Sequence, residues 1–162
     1  MKLEYFNLNN IVVYLNNNYL ESIKFDITNN IEQQFKKLFI NIKNIYNIDM
    51  NGYYEVVVHI NDIYGMIIEI DKDDDEYVKL FGDTVDMKIT FKFDSPIYYK
   101  LDEYKKFNID NYSIYYYDET YYLKLDNNLE LNYSEYLKLI ENSVIVYGDE
   151  LKRIKNQLIK VN

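Results

Sequence analysis

The chain has no cysteine, no tryptophan and no alanine, and only one proline, four glycines, one histidine and one arginine. Without cysteine there are no disulfides, no thiol nucleophile and no zinc–thiolate site. The glycines at 52, 65, 82 and 148 form neither G-x-G-x-x-G nor a phosphate-binding loop. No serine lies in G-x-S-x-G and no H-E-x-x-H occurs, so the common nucleotide, hydrolase and metalloprotease signatures are missing. No apolar run approaches the roughly 20 residues of a membrane-spanning helix. The opening MKLEYFNLNNIVVYL lacks a basic segment leading into an unbroken apolar one, so no secretory signal is expected.

A basic surplus is also missing. The formal charge is −9, with 15 acids against 7 bases in residues 1–86 and 12 against 11 in residues 87–162. Such a surface repels phosphate backbones, which argues against nucleic-acid binding. The expectation is a bacterial, cytoplasmic protein.

What is abundant is equally informative. The chain holds 21 Asn, 21 Ile, 20 Tyr and 17 Lys. All four are encoded by A- and T-rich codons, so tyrosine stands here where other chains use Phe, Leu, His or Trp. No tyrosine is functional on abundance alone.

Periodicity predicts two α+β halves. In the first, strands are expected over Lys2–Phe6 and Ile11–Leu15, with a polar break at Asn7–Asn10. A short helix with Tyr19, Leu20 and Ile23, capped by Asn16 or Asn17, follows. Ile31, Phe35, Leu38, Phe39, Ile42, Ile45 and Tyr46 form one apolar helical stripe, with Asp26 or Thr28 as its expected cap. A hairpin alternates through Tyr54–Ile60 and Met66–Ile70. The predicted architecture is two small sandwich domains, each a mostly antiparallel sheet covered by helices. Their boundaries are 1–70, an acidic linker over 71–86, and 87–162.

The second half repeats the logic with other elements. Ile89, Phe91 and Phe93 alternate as a strand, and Ser95-Pro96 reads as a helix start with Ile97, Leu101 and Tyr104 facing the core. The stretch SIYYYDETYYLKLD, residues 113–126, reads as a hairpin. Lacking Asn-Gly or Asp-Gly, its turn at Asp118-Glu119-Thr120 is expected to be a looser loop of three to five residues. Leu123, Leu125 and one tyrosine row are expected in the core. The other row, read as Tyr115 and Tyr117, together with the Asp118–Glu119 tip, is the candidate partner-binding surface. A short helix, the strand Ser143–Tyr147 and a final helix with Leu151, Ile154 and Leu158 close the chain.

Two chemical readings fail on their own terms. Asp71, Asp73 and Asp75 match the first ligand spacings of a calcium loop, but its sixth and twelfth positions hold Glu76 and Gly82 instead of Gly and Glu. His59 falls on the outward face of its strand beside Tyr53, Glu55 and Val57, none of them a partner for acid–base work, so a surface or packing role is expected. No catalytic, cofactor or metal residue is assigned, and the chain reads as non-enzymatic.

The order of segments carries a resemblance. MKLEYFNLNNIVVYLNNNYLESIKF, then FKKLFINI, then GYYEVVVHINDIYGMIIEI, resembles the N-terminal domain of the MecA family, adaptors of the bacterial ClpC unfoldase. The matching positions are Lys2–Phe6, Asn10–Leu15, Tyr19–Leu20, Leu38–Phe39 and the Gly65 hairpin. The second half resembles that family's C-terminal domain through the F-x-F strand at Phe91–Phe93, an intervening helix, Tyr121-Tyr122-Leu123 and NSVIVYGDELKRIKNQL. The family's longer linker and one further helix have no counterpart here. The resemblance implies client proteins, such as a competence regulator, held by the first domain. A ClpC-type AAA+ unfoldase would be engaged and assembled by the second, in regulated proteolysis. The competing reading is a stand-alone, self-associating regulator on the same scaffold.

Overall fold

Alternating apolar residues build most of this protein, and they do so in two separate sheets. The computed structural model describes residues 1–6, 9–47, 53–73, 86–104, 106–109, 111–126 and 133–161. Within these the chain forms β1 (Lys2–Tyr5), β2 (Asn10–Asn16), α1 (Asn17–Ser22), α2 (Ile31–Tyr46), β3 (Tyr53–Asn61), β4 (Gly65–Asp73) and β5 (Asp86–Lys92). There follow β6 (Tyr98–Leu101), β7 (Tyr112–Tyr117), β8 (Thr120–Leu125), α3 (Tyr133–Glu141), β9 (Ser143–Val146), α4 (Gly148–Ile154), a 3-10 turn and β10 (Ile159–Lys160). The sheet orders are β1-β2-β4-β3-β5 and β10-β7-β8-β6-β9. The fold is therefore α+β, with two mostly antiparallel five-stranded sheets.

The first unit comprises residues 1–60 and 65–92. Ile11, Val13 and Leu15 of β2 face Ile70, Ile68 and Met66 of β4 across the sheet. Their side chains share one face because paired residues point the same way. Onto that face α2 lays Phe35, Leu38, Phe39 and Ile42, all at most 2% exposed. The helical stripe was legible in the sequence, except that Ile45 is 60% exposed. Asn16 caps α1 as expected, its Oδ1 accepting from the Tyr19 N–H at 2.9 Å.

The cap of α2 differs from expectation. Asn30, in the left-handed region at φ 43°, precedes the helix without a side-chain cap. Asp26 folds onto its own turn, accepting from the Thr28 N–H at 2.8 Å and the Thr28 hydroxyl at 2.6 Å. These bonds, the hydroxyl's first, hold its carboxyl below the usual range.

The boundary drawn at 71–86 requires correction at both ends. Residues 71–73 continue β4, with Asp71 opposite Asn10 and the Lys72 N–H donating to the Asn9 carbonyl at 2.8 Å. Backbone pairing needs no apolar side chain, so the ladder runs on into the charged run. Only residues 74–85 of the expected linker, with part of the calcium-like run, lie outside the described residues; so do Asn7, Leu8 and Asn127–Asn132.

Nor does the second domain begin at 87. Met87, Ile89 and Phe91 of β5 sit opposite Tyr54, Val56 and Val58 in a parallel pairing with β3. Phe91 lies 6.0 Å from the Phe35 ring, centroid to centroid. Strand alternation identified β5 as a strand but could not say which sheet it joins. The apolar edge of the first core claims it.

The second unit comprises residues 61–64 and 93–162. Its sheet is covered on both faces. On one, Tyr99 of β6, opposite Leu123, is buried beside Tyr136 of α3. On the other, Leu151 of α4 clusters with Tyr98, Tyr122 and Val146. Ser95-Pro96 starts no helix here. It leads extended chain into β6, where Tyr98 and Tyr99 are each buried, one on either face. A helix would present one stripe only, whereas this sheet has apolar layers to fill on both sides. The helix that the resemblance places between Phe93 and the hairpin is thus absent at Ser95–Tyr104. Asn61 closes a turn by accepting from the N–H groups of Ile63 and Tyr64 at 3.1 and 2.9 Å, and donates to the Ser95 carbonyl at 3.0 Å.

Gly65 tests the hairpin between β3 and β4. Its φ is +122°, and a Cβ there would collide with the Leu15 carbonyl oxygen and approach the Asn17 nitrogen to 2.9 Å. Gly65→Ala is expected to lower unfolding free energy by about 1–3 kcal/mol, read by chemical denaturation, since this backbone region is nearly reserved for glycine.

Candidate protein-interaction surface

The β7–β8 hairpin is tighter than its sequence suggests. Tyr117 pairs directly with Thr120, leaving only Asp118 and Glu119 in the turn, at φ 44° and 57°. Positive φ at both central positions is the I′ geometry that matches strand twist. It normally calls for Asn-Gly, and here two carboxylate residues are held in it. The expected three- to five-residue loop is replaced because β7 and β8 pair to their very ends.

That register sorts the tyrosines. Tyr115 faces Tyr122, and Tyr116 faces Tyr121. Tyr115 and Tyr117 lie half-buried against Tyr98, Tyr122, Val146 and Leu151, with Tyr98 and Tyr115 rings 5.5 Å apart. Of the four predicted partner-binding residues, Asp118 and Glu119 are exposed, while Tyr115 and Tyr117 turn one side into the core under α4. Leu123 and Leu125 are buried as expected, at 0% and 4% exposure.

The more exposed aromatic row is the other one. Tyr116 is 36% exposed and Tyr104 is 53% exposed, and both meet Tyr121, at 5.0 and 5.2 Å between centroids. Further along the same face Ile159 stands opposite Tyr116. Ile159 and Val161 are 67% and 52% exposed. Sequence reading missed this row for a definite reason. Tyr116 shares its face with the buried Ile114, and alternation alone assigns both inward; it cannot show where the covering layer stops.

His59 is also placed differently. It is 2% exposed, with its Nε2 3.3 Å from a Glu69 carboxylate oxygen on the neighbouring strand. The face expected to meet water is buried around it, with Val12 at 5%, Tyr14 at 7% and Ile67 at 0%. On this face of β3 His59 alone is buried, while Val57 is half-buried and Glu55 exposed. Among the described residues, no three His, Asp or Glu side chains converge as a metal site, and no helix is long and apolar enough to cross a membrane.

No family model matches the chain, and neither a curated protein nor a solved structure matches it.

Two consequences of this hairpin are measurable. Glu119→Gly is expected to raise unfolding free energy by roughly 0.5–1 kcal/mol, because relief of left-handed strain outweighs the added chain entropy. Burial first, then the neighbouring Tyr115, pushes the Tyr98 hydroxyl from 10.0 up to about 12. Its stabilising contribution is whole below pH 10.0 and is lost as pH rises toward about 12. Tyrosinate absorbance should therefore show a late-titrating component accompanied by falling stability across that interval, and Tyr98→Phe should lessen the fall.

Proposed function

We propose that this protein is a non-enzymatic adaptor that binds partner proteins through the exposed tyrosine row of its second unit. The observation that carries the reading is the contact of Tyr104, Tyr121 and Tyr116 along one sheet margin, continued by Ile159. Tyrosine offers a large, stiff contact area that loses little entropy on binding, and it is enriched at protein interfaces. The resemblance of its segment order to that of the MecA family supports a specific form of this role. In that form the protein delivers clients to a ClpC-type AAA+ unfoldase in the bacterial cytoplasm. Tethering would act by raising the client's effective concentration at the unfoldase, with no bond chemistry by the adaptor itself.

The test is affinity capture with the full chain from lysate of a low-GC bacterium, beside a Tyr116→Ser/Tyr121→Ser variant. Recovery of an AAA+ unfoldase that is lost in the variant, at an unchanged melting temperature, is the expected result. Recovery of the chain's own copies alone would favour the self-associating regulator. Equal retention of the unfoldase by both forms would remove the tyrosine row from the role.

A further inference from the structure

The strand lysines near the tyrosine row all lie on the opposite face of the sheet. Lys100 stands opposite Tyr122, Lys124 opposite Ser113 and Lys160 opposite Tyr115. By strand alternation all three lysines lie on the α4 face, away from Tyr116 and Tyr121. At the hairpin end of the sheet, Asp118 and Glu119 follow Tyr117, while Asp102 and Glu103 follow Leu101, the residue opposite Tyr121. All four carboxylate residues are exposed. Lys105 and Lys106 follow Tyr104 in sequence, and residues 102–106 and 118–119 together carry a formal charge of −2.

Resting on the interaction reading above, we propose that this margin docks a basic segment of a partner protein, one carrying Lys or Arg around an apolar anchor. The complementarity is physical. Tyrosine ring faces attract ammonium and guanidinium groups, and Arg and Lys stems lie well along apolar surface. Ile159 and Val161 supply the dry part of the contact, and the carboxylates steer and pair the cations. A second copy fits poorly, since an isologous contact would set four carboxylates against four. Phosphate-bearing partners are repelled for the same reason.

The probe is a labelled amphipathic Lys/Leu peptide, compared with the same sequence bearing Glu at every Lys, titrated against the full chain by fluorescence anisotropy. The Lys peptide should bind, more weakly as salt is added, and the Glu peptide should not. Tyr116→Ser/Tyr121→Ser should weaken binding about tenfold or more. Tyr104→Ser serves if the double variant does not fold. Neutralising Asp102, Glu103, Asp118 and Glu119 as Asn or Gln should weaken binding and flatten its salt dependence. The same charge loss on the first unit, by Glu21→Gln, Glu32→Gln, Glu55→Gln and Asp71→Asn, should not. Equal loss in both sets would mean that net charge alone attracts the peptide, and would overturn the proposal, as would comparable binding of the Glu peptide. If a captured partner is lost with the tyrosine variants but kept by the carboxylate variants, the interaction surface stands and its basic occupant does not. If neither set changes retention, both readings fall.

Discussion

Direct opposition of Tyr117 and Thr120 determines the chemistry of the second unit's surface. Strand side chains alternate, so the register of β7 on β8 decides which tyrosines meet water and which meet α4. A slip of one residue would turn Ile114 and Leu123, both fully buried, away from α3 and deliver Tyr115 and Tyr122 in their place. The tight Asp118–Glu119 turn excludes that slip, at the expense of two residues in left-handed conformation. β10 adds to the constraint from the other side, pairing Ile159 with Tyr116, and the Val161 N–H donates to the Ile114 carbonyl at 2.8 Å.

Tyrosine serves as the large core residue of this chain. Tyr54 and Tyr99 are 2% exposed, and Tyr98, Tyr122 and Tyr136 are nearly as buried. Burial first, then the neighbouring Tyr136, pushes the Tyr99 hydroxyl well above the usual phenol range. The ring fills volume as phenylalanine would. Because the interior also uses tyrosine, an aromatic count cannot distinguish core from contact surface, and only exposure separates Tyr116 from Tyr115.

Much of the fold was legible wherever period and capping agreed. Asn16 as the α1 cap, the Phe35–Ile42 stripe and the Tyr54–Ile60 alternation all follow from local spacing. The failures share a different cause: each depended on a neighbour distant in sequence. β5 joins β3 because of an open apolar edge some thirty residues back. Pro96 introduces a strand because the second sheet needs filling on two sides. His59 is buried because its part of the face that alternation left to solvent, with Val12, Tyr14 and Ile67, is buried too. For the candidate surface only exposure was legible, and in part: the Asp118–Glu119 tip is exposed as expected, whereas the more exposed tyrosine, Tyr116, lies one residue out of phase, at the uncovered end of a face whose middle is core.

The parallel strand β5 bears on the order of synthesis. A ribosome that has released residues 1–73 has produced both helices and four of the five strands described in the first unit, but the edge of β3 is still open. Its closing strand emerges only after the charged stretch. Until then Tyr54, Val56 and Val58 border a row of unpaired backbone groups, the kind of edge that recruits foreign strands. A nascent chain therefore passes through an interval of adhesiveness, in which the acidic residues 74–76 are the next to emerge. Their like charges keep neighbouring chains apart while the sheet waits for its last member.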